Sequence, residues 1–83
     1  MHEWLDASRD RIAQASGVDA AHLELTEQDV ASLLDLARVA AHDSGDRTNA
    51  PLVCFLVGRT VGRNPDITLA ELANVAASTT TET

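Results

Sequence analysis

The sequence predicts an all-α fold: a compact, orthogonal or irregular bundle of four helices, or five counting a short turn near residues 19–23. Three observations lead there. Apolar residues recur at spacings of three and four in separate segments, and no segment alternates with a period of two. Two segments also open with the same threonine-x-x-acid signature of a helix start.

The first helix is expected from about His2 to Ser16. Trp4, Leu5, Ser8, Ile12 and Ala15 fall on one side, and Glu3, Asp6, Asp10 and Gln14 on the other. Gly17 supplies a stop. The linker Val18 to Leu25 carries Leu23 and Leu25, so it is expected to lie across the core. The second helix has the clearest entrance: Thr26 caps it, Asp29 stands at the third helical position, and Leu25 can meet Val30 as a hydrophobic staple. Val30, Leu33, Leu34, Ala37 and Ala41 line one face of this helix, with Gln28, Ser32, Asp35, Arg38 and His42 on the other.

Asp43 to Asn49 is polar, contains Gly45, and reads as a loop. Pro51 fits the first turn of a third helix, with Thr48 or Asn49 near its cap. Residues 50–62 are apolar almost all round, and such a helix must be covered by something. Ala50, Cys54, Gly58 and Gly62 form a smooth stripe of small residues where another helix could approach closely, while Leu52, Phe55 and Leu56 make a bulky face. Gly62 is expected to end this helix in a left-handed conformation before the turn Asn64-Pro65-Asp66. Thr68 then caps a short fourth helix, with Glu71 reaching back and Ile67 placed to meet Leu72. Residues 1–77 make one domain, and the Ser/Thr-rich tail 78–83 is expected to be disordered.

Composition narrows the function. The formal charge is −7, and the six cations are all arginine and dispersed, which argues against nucleic acid. One cysteine permits no internal disulfide and no thiolate-rich metal site. No leader pattern and no membrane-length apolar run is visible, so a cytoplasmic, soluble protein is expected.

Chemistry-bearing residues are sparse. His2, His22 and His42 lack the short spacing of helical zinc sites, so no metal is expected. Cys54 reads as a small, buried hydrophobe rather than a nucleophile. Gly58-Arg59-Thr60-Val61-Gly62 lacks the lysine and the preceding strand of a phosphate loop. Arg59 and Arg63 are expected to pair with carboxylates at the edge of the core, or to engage a partner. With His42 they form the candidate interaction surface, and a small-ligand site would need these three to converge. Asp43-Ser44 is the only dipeptide that suggests an acyl carrier, but Gly45 follows it and it sits after the second helix.

Glu3-Trp4-Leu5, the run Leu33-Leu34-Asp35-Leu36-Ala37-Arg38-Val39-Ala40-Ala41-His42, and Ala50-Pro51-Leu52 leading through Phe55-Leu56 to Gly58 and Gly62-Arg63 resemble a small bacterial helical family without an assigned biochemical role. Its members are similar in length, and related segments occur appended to nucleotidyltransferases of the molybdenum-cofactor guanylyltransferase type. The resemblance implies an accessory role beside molybdenum cofactor (molybdopterin guanine dinucleotide) biosynthesis and does not imply catalysis in this chain, for which no cofactor is expected. The expected function is therefore a non-catalytic accessory or protein-interaction module. Its expected partner is a protein, such as a molybdenum-cofactor nucleotidyltransferase, with a homodimer also allowed. An acyl-carrier-like protein and a small-ligand-binding helical protein are the alternatives.

Overall fold

The computed structural model describes residues 3–77 and contains four α-helices, one 3-10 turn and, among the described residues, no strand. The all-α expectation holds. Helix α1 spans Glu3–Ser16, the 3-10 turn Ala20–Leu23, α2 Glu27–Ser44, α3 Asn49–Arg63 and α4 Leu69–Ala77. The expected disorder of residues 78–83 lies outside the described residues.

The helix boundaries follow from local chemistry. Gly17 adopts φ 79° and donates its N–H to Ala13 O at 2.9 Å, ending α1 as its sequence position suggests. Asp19 then caps the 3-10 turn, its carboxylate accepting from Ala21 N–H at 3.0 Å. At the start of α2 the capping box is complete: Thr26 Oγ1 accepts from Asp29 N–H at 3.0 Å, and Asp29 Oδ2 accepts from Thr26 N–H at 2.9 Å. The same reciprocal arrangement opens α4, where Glu71 N–H donates to Thr68 Oγ1 at 3.1 Å and Thr68 N–H donates to Glu71 Oε1 at 2.9 Å.

Two boundaries differ from expectation. Helix α2 continues through Asp43 and Ser44, so the connecting loop shrinks to residues 45–48; Gly45, at φ 74°, is the left-handed cap that makes so tight an exit possible. Asp46 organises this loop by accepting from Thr48 N–H at 3.0 Å and Thr48 Oγ1 at 2.6 Å. Gly62, in contrast, is not a left-handed stop. Helix α3 runs through it to Arg63, and the chain leaves through extended Asn64, whose N–H donates to Thr60 O at 2.9 Å.

Packing is uneven. Helices α2, α3 and α4 all pack on one another, around Leu36 (1% exposed), Val57 (4%) and Ala73 (6%). Val53, Cys54, Val61, Leu69, Leu72 and Ala77 surround these three. Helix α1 packs only against the 3-10 turn. The linker therefore does not lie across the core as expected. Its one large apolar residue within the turn, Leu23, is half-buried and lines the groove beside Leu5 and Ile12 of α1 instead.

Helix α3 also presents itself differently from the small-residue prediction. A Cβ added at Gly58 or Gly62 would meet nothing within 4 Å, and both glycines are exposed, so no helix approaches them closely. The face turned inward is Val53, Cys54, Val57 and Val61. These positions, at spacings of three and four with β-branched or small side chains, fit the narrow space between α2 and α4. The bulkier face of the same helix is left outside.

Candidate functional site

Leu52, Phe55 and Leu56 fall on one side of α3 at i, i+3 and i+4, and they are 59–61% exposed. One turn further, the Arg59 guanidinium carbon lies 4.5 Å from the centroid of the Phe55 ring, a cation–π contact. Arg63 follows at i+4 and closes the helix, whose residues 49–63 include no carboxylate. The result is a ridge with an apolar first half and a cationic end.

The expected ion pairs of Arg59 and Arg63 with core-edge carboxylates are not formed. Among the described residues the arginine–carboxylate pairs within 4.0 Å involve Arg9 and Arg38 only. The reason lies in position: both arginines stand on the outward face of α3, and Arg59 is drawn onto the aromatic ring on its own helix. Nor does the structure bring His42 to them. His42 is exposed in the last turn of α2, 3.3 Å from Asp43 Oδ1, beside the loop. Arg59 and Arg63 lie about 15 and about 21 Å of helical rise beyond Asn49, the residue that follows that loop. Arg59 and Arg63 share one stripe, and His42 belongs to the opposite end of α3.

A second feature escaped the sequence reading. Leu5 and Ile12 of α1, Leu23 of the 3-10 turn, Leu25 of the linker and Val30 of α2 line an open groove of about 420 Å³. Its polar edge is set by Arg9, which also faces it. Arg9 Nη2 and Nε donate to Asp10 Oδ1 at 2.9 and 3.1 Å, and its Nη1 lies 3.5 Å from Asp6 Oδ1. The hydrogen bonds that Arg9 donates to Asp10, together with the charges of Asp10, Asp6 and Glu24, hold the guanidinium above its usual range. Two carboxylates thus pair with one cation, and with Glu24 also lining the groove its edge is net acidic. Leu25 and Val30, which the sequence places as a staple, both line this groove. The available signal was the narrowness of the α1 stripe: Trp4, Leu5 and Ile12 are its only large apolar side chains, too few to cover a face of a bundle. Trp4 itself is 77% exposed.

The remaining chemical candidates are quiet. Cys54 is half-buried and points its thiol toward Leu33 O at 3.8 Å, and burial pushes its pKa upward, away from the thiolate a nucleophile needs. Ser44 ends α2 with its hydroxyl tied into the loop, donating to Asp46 O at 3.1 Å and accepting from Asp46 N–H at 3.2 Å. No three His, Cys, Asp or Glu side chains among the described residues are grouped to hold a metal ion. No helix of the described residues is long and apolar enough to cross a membrane.

The model of a family described as a domain of unknown function, DUF6457, matches residues 1–83, and the chain belongs to that family. Comparison with curated proteins and with solved structures finds no match.

Proposed function

We propose that this protein is a non-catalytic accessory module that acts through protein–protein contact. One observation carries the reading: large apolar side chains stay uncovered on two separate elements, the α3 ridge of Leu52, Phe55 and Leu56 and the groove beside α1. A contiguous exposed apolar face costs solubility, and in a small domain it is retained where something covers it. The quiet chemistry of Cys54 and Ser44 favours contact over catalysis as the role.

The partner is proposed from the resemblance of the sequence to a family whose segments occur beside molybdenum-cofactor nucleotidyltransferases. On that reading the chain assists assembly of the guanine dinucleotide form of the cofactor, and the nucleotide chemistry resides on the other polypeptide. Tagged protein returned to its native cell, captured and analysed by mass spectrometry, tests this. Enrichment of a molybdenum-cofactor nucleotidyltransferase over a tag-only control, followed by direct calorimetric binding of the purified pair, is the expected result. Capture without any cofactor-assembly protein removes the molybdenum link.

A further inference from the structure

The two uncovered surfaces of this chain complement each other yet do not meet within it. The α3 face is a convex ridge of Leu52, Phe55 and Leu56 that continues into Arg59 and Arg63. The α1 side is an open apolar groove floored by Leu5, Ile12, Leu23, Leu25 and Val30. Helix α1 makes no packing contact with α3. Seating an amphipathic helix in an apolar groove is a common mode of protein recognition.

Charge makes the match specific. Residues 49–63 carry two guanidiniums and no carboxylate, whereas residues 3–29 carry seven carboxylates against two guanidiniums. At the groove itself the carboxylates of Asp6 and Glu24 stand with the single cation of Arg9, which is already paired with Asp6 and Asp10. Arg59 is held over the Phe55 ring, so that burying the ring carries the guanidinium to the same place. Opposite charges at the edges of two apolar faces set orientation and disfavour like-with-like pairing of α3 on α3, which would bring Arg59 and Arg63 against their own copies.

We infer that a second copy of this chain is the occupant: the α3 ridge of each copy seats in the α1 groove of the other, twice, about a two-fold axis. Such a reciprocal pair closes on itself and covers both surfaces, so a nucleotidyltransferase that used either would compete with the second copy. It also gives α1 a packing partner beyond the 3-10 turn. The inference deepens the reading of the chain as an interaction module by naming what covers its apolar surface.

The test uses the full chain alone, so its outcome is separate from capture of a nucleotidyltransferase. Sedimentation equilibrium from 10 to about 500 µM is expected to show a dimer that weakens as salt screens the charged edges. Phe55→Glu removes the ridge and Ile12→Glu the groove. Both residues are more than half exposed, and unchanged far-UV circular dichroism verifies that each variant folds. Each variant alone is expected to lose at least tenfold in dimer affinity. One intact ridge and one intact groove remain in a mixture of the two. Titrating unlabelled Ile12→Glu into ¹⁵N-labelled Phe55→Glu should therefore shift the amides of Leu5, Asp6, Arg9 and Leu25. A monomeric wild type at 500 µM, a variant that dimerises as well as wild type, or a titration that leaves the α1 amides unmoved would each overturn the inference. A wild-type monomer that still binds a nucleotidyltransferase would leave the broader proposal standing.

Discussion

Helices α2 to α4 and the segment formed by α1 with the 3-10 turn are built from similar sequence, yet they reach different degrees of burial. Both have clean helix starts or stops, and both carry leucine or isoleucine at helical spacing. The difference is closure. Each of α2, α3 and α4 packs on two others, so Leu36 and Val57 are shielded from every side. Helix α1 has one short neighbour, and Ile12 keeps 58% of its surface in water. A helix is as well buried as its number of neighbours allows, whatever the quality of its own amphipathic pattern. For this chain the lesson is that stability belongs to the three-helix bundle, and the surface for recognition belongs to α1 and to the outer side of α3.

The sharpest way to break this contrast is to remove matter from the bundle. Leu36→Ala should lower unfolding free energy by about 3 kcal/mol, because the site is enclosed and cannot collapse easily. For a domain this small that is a large share of the whole. Urea denaturation followed by circular dichroism measures it, and a loss below about 1 kcal/mol would mean that Leu36 is not central. The caps come next. Thr68→Ala and Thr26→Ala should each cost about 1 kcal/mol by freeing orphan amides at α4 and α2. On the other side of the comparison, Ile12→Ser in the monomer should change stability by under about 0.5 kcal/mol, the range of surface substitutions, since the residue has little packing to lose. A loss as large as that of Leu36→Ala would erase the distinction between the two regions.

Acid acts on the caps at a finer scale. The backbone N–H and hydroxyl of Thr68 hold the Glu71 carboxyl below its ordinary 4.5. A carboxyl whose folded pKa is depressed contributes stability that is fully present above 4.5 and is lost as pH falls through the lowered value. The protection of amides in the first turn of α4, taken relative to their intrinsic exchange rate at each pH, should therefore fall on acidification, and Glu71→Gln should flatten that dependence. Equal acid sensitivity in the variant would show that the cap is not its source. The Cys54 thiol gives a smaller effect of the same kind. Because burial raises its pKa, it should react with a thiol reagent at pH 8 more slowly than a free cysteine, and speed up when the bundle is unfolded by urea.

Much of the architecture was legible because it is locally encoded. Thr26 with Asp29, Thr68 with Glu71, and Gly17 act through neighbours a few residues away, so their roles can be read without knowing the fold. The errors fall where distant packing decides. Whether Gly58 and Gly62 form a seam depends on a second helix arriving there, and none does; the valines of α3 won the interior because the gap between α2 and α4 suits them. The apolar Leu23 and Leu25 predict a linker on the core, although periodicity cannot say which apolar surface they meet. Of the candidate site, Arg59 and Arg63 were recognisable as one stripe at i and i+4. The groove beside α1 was not, because it joins residues from Leu5 to Val30 through a tertiary fold-back that no local spacing records.

Hydrogen exchange of the full chain at about 1 µM, resolved by peptide, tests the division between bundle and α1 most directly. Amides of α2, α3 and α4 should be protected together by the global unfolding free energy, while those of α1 exchange through local opening and are far less protected. Amides of α1 as slow as those of α2 at that concentration would contradict it.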